Sequence, residues 1–283
     1  MSIPAYVLGK RFGPFMLERV LGRGRMGVVY LARDEALLRP TALKVLSWMM
    51  PKREGINPEA WFLSEARSMA RINHPNVVQI YGVGKHEAYR YIAMEYVAGD
   101  PAEMLVARHG PMSPERATET LAQAAAALSA THEAGVFHCD VKPENLLVTS
   151  SGATKLGDFG MARPVPAGKG TERSERDGVR AGTPFYTAPE LWRGEPASHA
   201  TDVYALGATY FYLLTGRRPF EGADLDTVRE AHLHFAIPDV ASFVPNAPAG
   251  CGHIVRRCLA KSARDRFASA QALVWEAVSL LRK

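Results

Sequence analysis

Cysteine is scarce in this chain. The 283 residues include only Cys139, Cys251 and Cys258, with no paired-thiol spacing. Three thiols are too few for the disulfide framework of a secreted protein, so the composition favours a reducing, cytoplasmic compartment. A zinc site built from Cys251, His253 and Cys258 is disfavoured, because the spacing and the missing fourth ligand do not match a structural site. Ordinary packing is the favoured interpretation of all three cysteines.

Long apolar runs are also missing. The most apolar stretch, residues 203–214, is interrupted by Gly207 and Thr209 and is shorter than the ~20 residues needed to cross a bilayer. It is predicted to form a helix buried in protein. The N-terminal sequence MSIPAYVLGKRF lacks the continuous apolar core of a signal peptide. We therefore expect no membrane segment within this chain.

The charge pattern contains no Lys/Arg run that would indicate a nucleic-acid-binding tail, and we expect no nucleic-acid partner. The formal charge of +5 is uneven, since residues 1–53 hold ten Lys/Arg against three acidic residues. Such a local field attracts a polyanion such as a nucleotide, but a solvated basic surface explains it equally well.

A nucleotide-binding loop of the G-x-x-x-x-G-K-S/T type is absent, which excludes a P-loop NTPase. What is present is the composition of a globular enzyme, with 47% hydrophobic and 22% charged residues. The length favours one large domain or two lobes in contact.

The secondary-structure signals change along the chain. Residues 15–45 predict three strands joined by a glycine turn and a loop, and further strands are expected near residues 77–82 and 89–96. A helix is expected from Asn57-Pro58-Glu59 to about Ile72. After Gly99-Asp100-Pro101 helical signals dominate, at residues 113–135, 202–215, 224–235, 253–260 and 269–281. The polar segment 164–182 is expected to be functional or disordered.

Gly22, Gly24 and Gly27 lie in a turn between two predicted strands. A G-x-G-x-x-G match is weak by itself, and a plain hairpin turn also explains three glycines. A dinucleotide-binding fingerprint would require a helix directly after the turn, whereas Val28-Val29-Tyr30 continues as a strand. The turn is therefore interpreted as a glycine flap between antiparallel strands.

Lys44 follows on a strand with apolar neighbours. A lone strand lysine usually extends to solvent, but Glu65 lies in the middle of the next predicted helix, where an unpaired carboxylate would be costly. We expect an ion pair between Lys44 and Glu65 that directs the ammonium group toward a phosphate beneath the flap.

The sequence HCDVKPENLL, residues 138–147, brings a carboxylate, an ammonium group and an amide close together, and Asp158 follows thirteen residues after Asn145. Carboxylate and amide oxygens suit Mg²⁺, so Asn145 and Asp158 are the predicted metal ligands. Asp140 is then the candidate base for an attacking hydroxyl, and Lys142 is placed to neutralise charge on the transferred group.

These elements together resemble the eukaryotic-type (Hanks-type) serine/threonine protein kinases, in a form that looks bacterial. The resemblance extends from about Phe15 to Leu281 and includes the flap, the lysine, the His-x-Asp-x-Lys-Pro-x-Asn run, Asp158-Phe159-Gly160 and Ala188-Pro189-Glu190. It implies an α+β, bilobal protein kinase fold over residues 1–283. The N-lobe, residues 10–97, would hold a small antiparallel five-stranded sheet and one helix, and the C-lobe, residues 98–283, would be mainly helical.

The resemblance also implies the chemistry: a non-specific serine/threonine protein kinase that transfers the γ-phosphoryl of ATP with Mg²⁺, and that phosphorylates itself through a transient homodimer. Asp140, Lys142 and Asn145 would be catalytic. Residues 94–97 would form the adenine slot, with Met94 as gatekeeper. The residues implied for nucleotide binding are Leu21, Gly22, Gly24, Gly27, Val29, Ala42, Lys44, Glu65, Met94, Glu95, Val97 and Leu147.

Several structural roles follow from the same resemblance. Glu190 should pair with Arg266, and Asp202 should brace the catalytic loop. Met69, Ile80, His138 and Phe159 should stack as an internal spine. Glu144 is open to two interpretations, a preference for basic residues near the target hydroxyl or a solvated side chain.

Cys139 departs from the family, since most relatives have arginine there and use it to grip a phosphate on the activation loop. The predicted base is intact, so the departure concerns regulation. We expect a phosphate on Thr171 or Ser174 to bias the loop without switching it fully. A redox-sensing thiol is disfavoured, because the neighbouring carboxylate raises a thiol pKa. A tolerated small substitute is the simpler alternative.

Two other functions remain open. A pseudokinase would be a nucleotide-binding signalling scaffold, and the presence of Lys44, Asp140, Asn145 and Asp158 argues against it. A small-molecule phosphotransferase is disfavoured by the Ala188-Pro189-Glu190 element and the helices after it. The sequence fits either a cytosolic kinase or the cytosolic catalytic part of a larger protein.

Overall fold

The computed structural model of the chain describes residues 9–24, 27–46, 66, 69–158, 163–164 and 184–282. The helix predicted between Asn57 and Ile72 falls largely outside these residues, as does the polar segment after Pro164. The chain divides into two compact units, one containing Met1–His74 and Val78–Ala98, the other Pro75–Val77 and Gly99–Lys283. The sequence predicts a boundary one residue earlier, between residues 97 and 98.

An antiparallel sheet forms the first unit. Its strands are β1 (Arg11–Phe12), β2 (Phe15–Gly24), β3 (Gly27–Asp34), β4 (Arg39–Leu46), β5 (Ile80–His86) and β6 (Tyr89–Glu95), in the order β1-β2-β3-β4-β6-β5. The predicted count of five strands is wrong, because the two-residue strand β1 adds to the sheet. Two residues give no periodic pattern, so the sequence carries no signal for β1.

Alternation along the strands gives this sheet one apolar face. Leu17, Tyr30, Leu43 and Val45 are buried in one cluster, with Phe12, Phe15, Val28, Ala32 and Ala93. Successive side chains of a strand point to opposite faces, so the intervening residues of β3 and β4 lie on the other face. That second face carries most of the predicted nucleotide-binding residues.

The second unit is mainly helical in its described part. Its helices are α1 (Ala102–His109), α2 (Pro114–Glu133), α3 (Pro189–Trp192), α4 (His199–Thr215), α5 (Leu225–His234), α6 (Ala249–Cys258) and α7 (Ala270–Leu281). Short strands accompany them: β7 (Gly99–Pro101), β8 (Val136–Phe137), β9 (Leu146–Thr149), β10 (Thr154–Leu156) and β11 (Arg163–Pro164). β7, β9 and β10 form one three-stranded sheet, and β8 pairs with β11. A sheet-rich unit and a helical unit confirm the predicted α+β class.

Local capping fixes where the long helices begin. The Ser113 side chain accepts a hydrogen bond from the Arg116 backbone N–H ahead of Pro114, which confirms the predicted start of α2. Ser198 and Thr201 form a capping box, so α4 begins at His199, three residues before the predicted start. Gly216 ends α4 in the left-handed conformation.

Helix α4 is the most buried helix of the second unit, which confirms the prediction from its apolar sequence. Fourteen of its residues are buried, and α2, α6 and α7 pack against it. None of the helices within the described ranges combines the length and the apolar character that crossing a bilayer requires.

Two further predicted boundaries are wrong. Val77 lies in the second unit, where it forms a parallel bridge with Leu156, so β5 begins at Ile80. Helix α6 begins at Ala249 instead of His253, because Pro248 opens it and the two glycines that follow are tolerated in its packed first turn.

Candidate active site

The register of the first unit's sheet aligns predicted nucleotide-binding residues on one face. Gly22 is paired with Val29, and Val29 with Lys44. Ala42 is paired with Met94 in the next row. Directly paired residues of antiparallel strands share a face, so these five residues lie opposite the buried cluster. Leu21 lies beside a register shift of β2 and is partly exposed.

The three flap glycines differ in what a side chain would meet. At Gly27 φ is +155° and a Cβ would clash with the Val45 carbonyl oxygen, so the sheet itself requires glycine there. At Gly22 and Gly24 a Cβ would meet nothing within 4 Å among the described residues. Packing inside the described chain therefore explains Gly27 but not the other two glycines.

Lys44 lies on β4 with its side chain 8% exposed, between Leu43 and Val45, which point into the apolar cluster. A buried ammonium group needs a charged or polar partner. The predicted partner, Glu65, lies outside the described residues, so the Lys44–Glu65 pair stays a prediction.

The end of β6 carries the residues of the predicted adenine slot. The Glu95 backbone N–H donates to the Gln79 carbonyl oxygen at 2.8 Å. The Glu95 side chain accepts from the Gln79 backbone N–H at 3.2 Å. Val97 is buried. The Glu95 backbone N–H is thus engaged with Gln79 at the end of β6.

In the second unit the catalytic candidates converge around one carboxylate. Lys142 Nζ donates to Asp140 Oδ2 at 2.7 Å, and both side chains are largely buried. Asn145 Nδ2 donates to the Asp140 backbone oxygen at 2.8 Å. This contact leaves Asn145 Oδ1 as the amide atom that would meet a cation. Pro143–Asn145 forms a 3₁₀ turn, and this turn brings Asn145 back into contact with Asp140.

His138 connects this loop to the residue before Asp158. Its Nδ1 accepts from the Asp140 backbone N–H at 3.2 Å, so Nε2 carries the proton and donates to the Gly157 carbonyl oxygen at 3.1 Å. The Gly157 backbone N–H donates to the Asn145 carbonyl oxygen at 2.9 Å. Asp158 therefore begins beside the loop that holds Asp140, with an exposed side chain and φ of +53°. Phe159 lies outside the described residues, so the predicted spine stays a prediction.

Asp202 braces the same loop, as predicted. Its carboxylate is fully buried and accepts from the backbone N–H groups of His138 and Cys139, each at 2.8 Å. Cys139 has φ of +61°, a costly conformation for a residue with a side chain. The two bonds from Asp202 are what hold this backbone in place. His132 on α2 also contacts the carboxylate, with Nε2 2.8 Å from Asp202 Oδ2.

The predicted pair of Glu190 and Arg266 is confirmed. Arg266 Nη1 and Nη2 donate to the two carboxylate oxygens of Glu190 at 2.8 Å each, and the pair is buried. Burial alone would raise the pKa of Glu190, but the Arg266 guanidinium holds that pKa below its usual value. Thr201 adds a third donor at 2.9 Å.

A small pocket lies next to Asp140 in the second unit. It is lined by Asp140, Cys139, Tyr186, Thr187 and Asp202, with Val141, Ala188, Leu191, Thr201 and Ala205. Tyr186 belongs to the 3₁₀ turn Pro184–Tyr186, and burial raises its pKa. The pocket shows that this turn forms a wall beside the candidate base.

Glu144 is not a solvated side chain. It is partly buried, burial raises its pKa, and its Oε2 has no hydrogen-bond partner among the described residues. The nearby Glu103 carboxylate also raises the pKa of Glu144, and the Glu144 carboxylate in turn adds to the effect of burial on the pKa of Tyr186.

Three residues near the Pro184–Tyr186 turn were not predicted from the sequence. Arg218 places its guanidinium carbon 3.8 Å from the Phe185 ring centroid. His232 and Lys261 lie on the α5 side of the turn. None of these residues belongs to a local motif, so the sequence carries no signal for their proximity.

Within the described ranges, the acidic, cysteine and histidine side chains form no group of three or more that would hold a metal ion. The predicted metal ligands are only two, the amide of Asn145 and the carboxylate of Asp158. Two protein ligands suit Mg²⁺, which keeps several waters and is completed by substrate phosphates. The thiols give no alternative metal site, since Cys251 and Cys258 are buried in the packing.

The sequence of this chain is similar to those of known proteins. A family model of the protein kinase domain matches residues 15–276. The serine/threonine-protein kinase PknE of Mycobacterium tuberculosis (strain H37Rv) is 36% identical over 263 residues, which cover 92% of this chain and 44% of PknE. The serine/threonine-protein kinase PrkC of Bacillus subtilis (strain 168) is 34% identical over 266 residues, 94% of this chain and 40% of PrkC.

A solved structure gives the same result. The kinase domain of M. tuberculosis PknI matches with a TM-score of 0.75 and 27% sequence identity, covering 98% of this chain and 100% of that domain. The chain belongs to the protein kinase family, among the bacterial Hanks-type serine/threonine kinases. It spans less than half the length of the curated relatives it matches.

Proposed function

We propose that this chain is a serine/threonine protein kinase that transfers the γ-phosphoryl group of ATP to protein hydroxyls, including its own. The observation that carries the proposal is the convergence of Lys142 and Asn145 on Asp140, 2.7 and 2.8 Å away. A carboxylate with an adjacent fixed ammonium group can accept the hydroxyl proton while the cation meets the transferred charge.

The first unit's sheet supplies the proposed nucleotide contacts. Gly22 and Gly24 lack a packing reason for being glycine in the described chain, which fits close backbone approach to phosphates. Lys44 is the proposed contact of the α and β phosphates. Leu21, Val29, Ala42, Met94, Val97 and, from the second unit, Leu147 are proposed to contact the base and sugar, with the Glu95 carbonyl oxygen as a hydrogen-bond acceptor.

The second unit supplies the proposed chemistry. Asn145 Oδ1 and the Asp158 carboxylate would hold Mg²⁺, which when bound offsets charge on the phosphates. Asp140 accepts the proton of the protein hydroxyl. Lys142 pairs with Asp140 and neutralises charge on the moving phosphoryl group.

The test is incorporation of labelled phosphate from ATP and Mg²⁺ into casein and into the chain itself. Asp140→Asn should lower the transfer rate by about 10² to 10⁴. Its thermal midpoint should stay near that of the wild type, since Asn keeps the size of the side chain. Asp158→Ala is the metal-ligand control. The proposal fails if the Asp140→Asn and wild-type rates are equal.

A pseudokinase scaffold is the alternative that the same experiment separates. It would bind nucleotide, seen as a higher thermal midpoint with Mg²⁺ and ATP, and transfer nothing. The four intact residues Lys44, Asp140, Asn145 and Asp158 favour catalysis. The serine/threonine preference, the use of Mg²⁺ and the protein class of the acceptor are supported by the family relationship alone.

The partners and location belong to the same proposal. Protein substrates with Ser or Thr acceptors, and a transient second copy of this chain for autophosphorylation, follow from the proposed activity. A cytoplasmic location is supported by the three cysteines, which form no disulfide among the described residues.

A further inference from the structure

His232 is a buried polar group that the proposed chemistry does not use. Its ring is fully inaccessible on α5 and packs among Phe220, Tyr204 and Trp192, at centroid distances of 5.0, 5.7 and 6.5 Å. An apolar ring would fill this aromatic cage without the desolvation cost of an imidazole. The two ring nitrogens therefore need a reason beyond packing.

One nitrogen is fixed by Tyr204. Its hydroxyl lies 2.8 Å from His232 Nδ1, and burial raises the pKa of Tyr204, so the hydroxyl keeps its proton. Lys261 adds a cation on the other side, with Nζ 2.8 Å from the His232 carbonyl oxygen and 3.0 Å from that of Ala231. Burial and this neighbouring cation lower the pKa of His232 to about 3. The imidazole is neutral at physiological pH, with one donor and one acceptor nitrogen.

The other ring nitrogen, Nε2, is not used by Tyr204. With Tyr204 donating to Nδ1, Nε2 carries the proton. Nε2 has no hydrogen-bond partner of ordinary length among the described residues. The Phe185 backbone is close enough to raise the pKa of His232 against the effect of burial. Helix α5 contacts the Pro184–Tyr186 turn, which makes the Phe185 carbonyl oxygen the candidate acceptor for Nε2–H. Hydrogen bonds that matter in a reaction are often long without substrate and shorten in the complex.

Phe185 is the centre of the turn that walls the pocket beside Asp140. Its neighbour Tyr186 lines that pocket together with Asp140 and Thr187. Arg218 covers the Phe185 ring at 3.8 Å. The turn is therefore held at its side chain by Arg218 and approached at its backbone by His232. This wall thus borders the carboxylate that an acceptor hydroxyl would have to reach.

We propose that His232 is a positioning residue for the protein acceptor: its imidazole, oriented by Tyr204, holds the Pro184–Tyr186 turn through the Phe185 carbonyl and so sets the acceptor hydroxyl against Asp140. The inference rests on the proposed kinase function and deepens it. It assigns His232 to the protein substrate and not to ATP, because its contacts Tyr204, Phe220, Trp192 and Lys261 all belong to the second unit and none is a proposed nucleotide-binding residue.

The decisive variant is His232→Phe in the full chain, which fills the aromatic cage and removes both nitrogens. We expect kcat/KM for casein to fall about tenfold, the value of a lost positioning hydrogen bond. KM for ATP and the slow hydrolysis of ATP by water should stay within twofold, since neither needs the acceptor wall. The thermal midpoint should fall modestly, because the buried Tyr204 hydroxyl loses its acceptor, and the kinetic comparison is made at a temperature where the variant is folded.

Two further variants guard against a purely structural effect. His232→Gln keeps an amide N–H able to reach the Phe185 carbonyl and should recover part of the casein kcat/KM. Phe220→Leu loosens the same cage with both nitrogens intact, and should lower the thermal midpoint without a selective loss of casein phosphorylation.

The outcomes separate cleanly. A folded His232→Phe variant with wild-type casein kcat/KM would overturn the inference. So would a parallel loss of ATP hydrolysis and casein phosphorylation, which would mean a general defect. A wild-type chain that transfers phosphate to no protein would instead overturn the proposed function, and the His232 role with it.

Discussion

At the scale of single residues, Gly24 and Gly27 lie in the same turn but lack a side chain for different reasons. The fold requires Gly27, because its φ is +155° and a Cβ would meet the Val45 carbonyl oxygen. Gly24 has open space around its Cα in the described chain, and its reason lies in the proposed ligand. One turn thus separates a residue needed for folding from one needed for binding.

We predict opposite effects of alanine at these two positions. Gly27→Ala should lower the free energy of unfolding by about 1–3 kcal/mol, through strain and the clash with β4. Gly24→Ala should leave the thermal midpoint unchanged and raise KM for ATP several-fold. Chemical denaturation and steady-state kinetics on both variants check this. Equal destabilisation by the two substitutions would contradict it.

Cys139 is the residue at which regulation should differ from that of most relatives. Moving a loop from 1:99 to 99:1 requires about 5.5 kcal/mol, and a phosphate gains roughly 1.5–3 kcal/mol per charge-assisted bond. The Cys139 thiol lies 3.8 Å from the Phe137 carbonyl oxygen and offers a phosphate no charge. Thr171 and Ser174, the predicted acceptors of that phosphate, lie outside the described residues.

We therefore expect phosphatase treatment to change the specific activity of the wild type by less than about tenfold, because at least one charge-assisted bond is missing. Cys139→Arg should increase the loss of activity on phosphatase treatment. Cys139→Ser is the matched control and should behave as the wild type. A hundredfold loss in the wild type would refute the prediction.

At the scale of elements, the ion pair of Glu190 and Arg266 joins α3 to the segment before α7. It is buried and bidentate, and Arg266 also donates to the Ala200 and Ala260 carbonyl oxygens at 2.8 Å. Removing one partner of such a pair leaves a buried charge without compensation. The pair between Arg256 and Asp239, at 3.4 Å and more than half exposed, offers a comparison within the same unit.

Arg266→Met should lower the free energy of unfolding by about 3–5 kcal/mol. Arg256→Met, the matched exposed control, should cost less than about 1 kcal/mol. Urea denaturation followed by circular dichroism measures both. Similar costs for the two variants would show that burial does not determine the strength of the Glu190 pair.

Some helices and strands could be predicted from the sequence and others could not. Helix α2 is predicted to within a residue or two because Ser113, Pro114 and a long Ala-rich stretch all favour the same structure. Strand β1 and the first turn of α6 are missed, because two residues carry no period and glycines weaken a helical signal. The loop at Pro143–Asn145 is found by its motif, while its contacts require the fold.

At the scale of the whole molecule, stability should depend on pH through His232. Its pKa is lowered from 6.5 to about 3 in the folded chain by burial and by Lys261. Between these values the unfolded chain binds a proton that the folded chain does not. The stabilisation is therefore complete above pH 6.5 and is lost as the pH falls toward 3.

Urea denaturation at several pH values between 7.5 and 4.5 should show this loss. The free energy of unfolding of the wild type should fall steadily as the solution is acidified. The curve for His232→Phe should be flatter, since it has no imidazole to protonate at that position. Parallel curves for the two proteins would assign the acid sensitivity to other groups.

The sequence by itself determined the family, the order of strands and helices, and the identity of Asp140, Lys142, Asn145 and Asp158 as a chemical set. These are local patterns: periodicity, turn residues and short motifs carry them, and each is complete within a few tens of residues. The departure from the family at Cys139 can likewise be seen in the sequence alone.

Only the tertiary structure decided which distant residues support that set. Asp202 reaches the backbone of Cys139 across 63 positions, Arg266 reaches Glu190 across 76, and His232 meets Tyr204 across 28. Such contacts depend on how helices pack, and packing is fixed by the burial of whole faces instead of by any single segment. A buried histidine beside the acceptor wall therefore has no signature in the sequence, and it becomes visible only when the chain is folded.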